Sequence, residues 1–130
     1  YYDEYLFENC ITWTTDGANA GDVNFRKGKF YCTNVCGVLI SDQGYANLCV
    51  AHIIGKVAKN YVSYIGNPKL MNNTMGIITI NLPPLNEQEN ISNIIEDLNY
   101  EIQLQNEEKN CLIAQRKALQ QYLLNGIVRV

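Results

Sequence analysis

The sequence predicts an α+β protein: a mixed, strand-rich globular body followed by one long coiled-coil-type α-helix. Two observations carry this. Composition changes at Pro83-Pro84, with eight of nine glycines and seven of nine tyrosines before it. Beyond it, apolar residues recur every seven positions, and no Pro or Gly interrupts from Leu85 to Asn125. The 130 residues are 47% hydrophobic and 18% charged, enough for one core and too little charge for a disordered chain. Residues 1–82 are therefore expected to form the body and residues 83–130 the helix.

In the body, Cys10 to Thr14 alternates large and polar side chains, a strand signal. Thr15 to Gly21 reads as a loop, because Asp16-Gly17 and Gly21 take positive φ cheaply. Asp22–Phe25 and Lys29–Thr33 read as short strands joined by a hairpin at Arg26-Lys27-Gly28. Val35–Ser41 is a further expected strand, Tyr45–Tyr61 a helix, and Gly76–Asn81 a strand rich in β-branched residues.

The second part opens with Asn86 as an expected cap and Glu89 three residues on. Gly126 is the expected stop. A helix from Glu87 to Leu124 would run roughly 55–60 Å at its ordinary rise. Ile91, Leu98, Gln105, Leu112 and Leu119 repeat at seven residues, with Ile95, Ile102, Lys109, Arg116 and Leu123 four behind each. Seven of these ten seam positions are apolar, which predicts a helical partner for Ile91, Ile95, Leu98, Ile102, Leu112, Leu119 and Leu123. The simplest partner is a second copy, giving a homodimer.

Charge is uneven. Residues 1–16 carry a net −4, residues 17–81 a net +4 and residues 82–130 a net −3. The basic body suits phosphate binding. Arg26, Lys27, Lys29, Lys56 and Lys59 are the candidate phosphate contacts, and Asn19, Thr33 and Asn34 the candidates for base edges. A solvated surface is the competing reading of the same charges.

Chemistry of other kinds is poorly supported. Five cysteines form no CxxC pair, and Cys32-x3-Cys36 offers only two ligands, so no metal site is expected. Scattered cysteines in odd number read as reduced thiols in a cytoplasmic setting, Cys32 and Cys36 lying in or beside a core. No secretory leader and no apolar run of membrane length is seen. The lone His52 has no nucleophile that spacing places beside it and reads as a packing residue, so a hydrolase is the disfavoured alternative. Asp16–Gly21 lacks the GxxxxGK[ST] pattern, and no cofactor fingerprint appears.

A resemblance joins these features. Asn81-Leu82-Pro83-Pro84-Leu85-Asn86-Glu87-Gln88-Glu89-Asn90-Ile91 resembles the segment leading out of a target recognition domain in specificity subunits of type I restriction-modification systems. Ala118 to Val130 resembles the close of the helix that follows, and Ile65-Gly66-Asn67-Pro68-Lys69-Leu70 the approach to it. Ile11-Thr12-Trp13, Gly17, Gly21 and Gly28-Lys29-Phe30 resemble the middle of such domains.

The resemblance implies a non-catalytic DNA-reading body and a helix that pairs with another and spaces two half-sites on double-stranded DNA. It also implies docking to modification (methyltransferase) subunits and, through them, to the restriction subunit. In length the chain resembles a C-terminal piece of such a subunit. A fragment that only assembles, without binding DNA itself, is the alternative expectation.

Overall fold

A computed structural model describes residues 4–129. Its elements in order are β1 (Phe7–Thr14), β2 (Val23–Phe30), β3 (Cys36–Leu39), α1 (Leu48–Ala58), a 3-10 turn (Lys59–Tyr61), α2 (Asn72–Gly76) and α3 (Leu85–Leu124). The α+β class with one long helix is what the sequence predicts. The chain separates into two compact units, Tyr1–Asn93 and Ile94–Val130, so the first turns of α3 belong with the body.

The sheet order is β2-β1-β3, antiparallel throughout. β1 is central, and its Cys10, Ile11, Thr12 and Trp13 are all buried. Ile11 and Trp13 face the core, together with Val50, Ala51, Ile54 and Ala58 of α1 and the fully buried Leu70. Gly37 lies under the indole of Trp13, where an added Cβ would collide with the ring. The indole Nε1 donates to the Leu70 carbonyl at 3.1 Å. The Leu70 amide in turn donates to the Thr15 carbonyl at 2.8 Å, and the Gly17 amide to the Pro68 carbonyl at 2.9 Å. The Ile65–Leu70 segment thus ties the loop after β1 to the core.

Two expected elements differ. Arg26-Lys27-Gly28 is no hairpin: β2 runs unbroken through it, and the β1–β2 connection is the 15–22 loop. Glycine there serves a bulge. Lys27 and Gly28 stand opposite the single residue Asn9, Gly28 has φ +80°, and its amide donates to Asn9 Oδ1 at 2.7 Å. Bulges and turns demand the same positive φ, so the sequence signal is shared. Gly76–Asn81 is also not a strand. Gly76 ends α2, and the following residues make no ladder; Ile78 and Ile80 pack on the core from an irregular segment. β-Branched composition reports a half-buried fit, and packing here is met without pairing.

Helix boundaries shift as well. α1 starts at Leu48 under the cap Asn47, whose side chain accepts from the Val50 amide at 3.0 Å. α3 begins at Leu85, and the Pro84 carbonyl accepts from the Glu87 and Gln88 amides, each at 3.0 Å. Asn86 therefore sits inside the first turn instead of capping it, since the Pro84 carbonyl already takes the first bonds of the helix. Gly126, at φ +68°, ends it. Its amide donates to the Leu123 carbonyl at 3.2 Å and that of Ile127 to Tyr122 at 3.1 Å, the paired bonds of a glycine C-terminal stop.

Candidate nucleic-acid interface

Strand alternation fixes which side chains share a face. Since Ile11 and Trp13 point to the core, Cys10, Thr12 and Thr14 point the other way. Register then puts Arg26 beside Cys10, Asn24 and Val38 beside Thr12, and Cys36 beside Thr14. The face away from α1 therefore carries Arg26, Asn24 and Cys36 around a small, buried polar row. The Thr12 hydroxyl donates to the Asn24 carbonyl at 3.4 Å.

Along this face, from Phe7, Val38 and Ile40 to the loop at Thr15 and Asp16, lies a groove of about 470 Å³. Asp16, Cys32, Asn34, Cys36, Met71 and Asn72 are among the residues lining it. Its upper lip is the turn after β2, held by the Thr15 amide on the Val35 carbonyl (3.0 Å) and the Cys36 amide on the Thr33 carbonyl (3.1 Å). Partial burial raises the Cys36 thiol above its ordinary value of 9.0. Cys32 beside it acts in the same direction, while the positive charge of Arg26 acts against both. The groove thus combines apolar walls with amide, carboxylate and thiol groups, a lining able to hold a base edge by hydrogen bonds.

The predicted contacts fall in three places. Thr33 and Asn34 are exposed on the turn at the groove, and Asn19 is exposed on the neighbouring 15–22 loop. Lys27 and Lys29 lie towards the far end of the edge strand β2, spread along it because no hairpin gathers them. Lys29 pairs across to Glu8, and its Nζ lies 4.5 Å from the Tyr5 ring centre. Lys56 and Lys59 are exposed at the end of α1. Lys59 is engaged: its Nζ is 2.7 Å from Asp22 Oδ1, and that hydrogen bond raises the lysine above 10.5. Lys69 similarly meets Asp16 at 3.5 Å.

The sequence does not single out Asp16, Met71 or Asn72. The small polar alternation Cys10-Thr12-Thr14 marks a second covered face of β1, but the partners arrive from loops distant in sequence. His52, expected as a packing residue, is exposed. The buried positions of α1 are taken by Cys49, Val50, Ala51, Ile54 and Ala58.

On α3, Ile91 and Ile95 are half-buried, whereas Leu98 is 53%, Ile102 57%, Leu112 57%, Leu119 55% and Leu123 39% exposed. This row of leucine and isoleucine in water is unusual for a polar-sided helix. Among the described residues, no group of three or more His, Cys, Asp or Glu is placed to hold a metal ion, and no helix is long and apolar enough to cross a membrane.

A family model described as type I restriction modification DNA specificity domain matches residues 1–113. The chain belongs to this family. Among curated relatives, the type I specificity subunit S.MpnORF289P N-terminus of Mycoplasma pneumoniae is 39% identical over 89 residues, 66% of this chain and 47% of the relative. S.MpnORF507P of the same organism is 32% identical over 120 residues, 88% of this chain and 32% of that protein. The type I restriction enzyme MpnII specificity subunit is 36% identical over 87 residues, 65% of this chain and 26% of that protein. The matched part of this specificity-family chain spans less than half the length of each of these relatives.

Proposed function

We propose that this chain is a non-catalytic DNA-specificity component, in which the body reads one half-site of double-stranded DNA. The family match across residues 1–113 is the observation that carries the reading. The groove and the basic side chains support it locally. Arg26, Lys27, Lys29, Lys56 and Lys59 hold phosphates, and Asn19, Thr33 and Asn34 approach base edges. In this division, lysines position the body and the amide side chains discriminate bases.

In the same reading α3 is spacer and docking element. Its exposed Leu98, Ile102, Leu112, Leu119 and Leu123 are covered by a second long helix, supplied by another copy of this chain. The paired helices set the distance between two reading bodies and present them to modification (methyltransferase) subunits, which recruit the restriction subunit. The setting is the cytoplasm, where such systems meet DNA. One experiment tests this assembly. Co-purification of the chain with its modification subunits should yield a complex holding two copies of the chain, and Leu98→Asp with Leu112→Asp should reduce it to one copy or none.

A second reading is favoured by the exposed apolar row on α3: a chain that homodimerises and assembles without independent DNA binding. The two readings part on whether the purified chain, free of other subunits, retards duplex DNA at low salt.

A further inference from the structure

Two of the five cysteines are placed differently from the rest. Cys10 and Cys49 are buried within the body, and Cys111 is exposed by itself on α3. Cys32 and Cys36 are both half-buried and both line the groove, four residues apart on one turn, and the Cys36 Sγ donates to the Gly37 carbonyl at 3.6 Å. The turn between them is already folded back by the Cys36 amide on the Thr33 carbonyl, 3.1 Å apart. Thr33 and Asn34, the residues this turn presents, lie inside the loop that a Cys32–Cys36 bond would close. Arg26 stands near Cys36, but its charge only opposes the larger effect of burial, which holds the Cys36 thiol above its ordinary value.

We infer that Cys32 and Cys36 form a reversible disulfide that locks the Thr33–Asn34 turn when the protein meets a peroxide. The chemistry balances with hydrogen peroxide as the oxidant. One thiolate attacks a peroxide oxygen, the O–O bond breaks, and hydroxide leaves and takes the thiol's proton as water. The sulfenic acid so formed is displaced by the second thiol. An S–S bond forms, the S–OH bond breaks, and a second water departs. Two thiols are oxidised and one peroxide is reduced. A dithiol reverses the step by exchange. The neighbouring placement makes the second step intramolecular, so it outpaces further oxidation of the sulfenic acid.

The consequence for base reading rests on the function proposed above, whereas bond formation does not. The turn is the groove's lip, and a five-residue covalent loop would restrict the conformations available to Asn34. Oxidation would then alter which base edges the groove accepts without unfolding the body, since Trp13, Leu70 and α1 lie on the other face of β1.

The test uses the full chain. It is treated with stoichiometric hydrogen peroxide, denatured, alkylated with N-ethylmaleimide and mapped by mass spectrometry. The expected result is a peptide linking Cys32 to Cys36, lighter by roughly 2 Da, with the other three thiols alkylated and dithiothreitol restoring the pair. Amide exchange over residues 33–35 should slow by roughly tenfold in the oxidised form. Cys36→Ser should instead stall as a Cys32 sulfenic acid that dimedone captures. Alkylation of all five cysteines after peroxide, loss of other thiols first, or a bridge that leaves exchange over residues 33–35 unchanged would overturn the proposal. None of these outcomes depends on whether the chain binds DNA.

Discussion

Asn47 and Gln88 join the start of α1 to the first turn of α3. Asn47 Nδ2 donates to Gln88 Oε1 at 2.8 Å and to the Gly44 carbonyl at 3.0 Å, while its Oδ1 caps α1. Gln88 is fully buried, and its Nε2 donates to the Pro83 carbonyl at 2.8 Å. One turn further on, Ser92 Oγ accepts from the Cys49 amide at 3.1 Å. The amide donors that open α1 are thus met partly by α3, which ties the beginning of the long helix to the body.

This linkage sets the first prediction. Gln88→Ala removes the partner of the Pro83 carbonyl and of one Asn47 donor, both partly buried, and empties a buried position, and should cost about 1–3 kcal/mol. Asn47→Ala should cost at least as much, because the cap is removed too. Urea unfolding of the single and double variants gives a coupling energy. Additive losses would show that the two residues act independently.

Gly37→Ala supplies a second. The methyl would meet the Trp13 indole from beneath, in a sheet where β1 has neighbours on both sides. Overpacking of this kind should destabilise by about 1–3 kcal/mol and shift the fluorescence of the chain's one tryptophan. An unchanged unfolding midpoint would mean that the indole moves aside freely.

The packing of Gly37 on Trp13 also shows what the sequence hides. Trp13 is readable as a strand residue, but nothing in local spacing says that β3 passes beneath its ring. The glycine stop at Gly126 and the α3 heptads are legible because helix periodicity and termini are local. Arg26-Lys27-Gly28 is ambiguous in sequence because one glycine conformation serves both a turn and a bulge. At the site, Asn34 is legible as a polar residue between two expected strands, whereas Thr33 is expected within a strand that in fact ends at Phe30, and Asp16 and Asn72 are brought near only by the long-range bonds of their loops.

Alkaline pH provides a third prediction. Burial, with the charge of Glu87 adding to it, raises the Cys49 thiol above 9.0. In the folded chain it therefore keeps its proton at a pH where the unfolded chain has begun to lose its own. The stabilisation is fully present below pH 9.0 and is lost as pH rises through the folded value. Cys49→Ala should flatten the decline in unfolding midpoint above pH 9.0 relative to the parent. A parallel decline in both proteins would remove Cys49 as a cause.

The exposed α3 seam yields a fourth. Each leucine or isoleucine covered on pairing is worth roughly 1.5–3 kcal/mol. Sedimentation equilibrium should find a homodimer at micromolar concentration, and Leu98→Asp with Leu112→Asp should return it to monomer. A parent chain that stays monomeric at high concentration would contradict the pairing.

The central claim is that the body reads DNA sequence, and selection from a randomised duplex library tests it most directly. The chain is assembled with its modification subunits, and bound duplexes are recovered and sequenced at several salt concentrations. The account predicts enrichment of one defined half-site. Arg26, Lys27 and Lys29 replaced together by alanine should weaken binding to all duplexes, with the slope of log K against log salt falling by roughly 0.9 for each phosphate no longer neutralised. Asn34→Ala should change the enriched bases. Recovery of duplexes with no common sequence, or the same half-site and salt slope from the triple variant and Asn34→Ala, would contradict it.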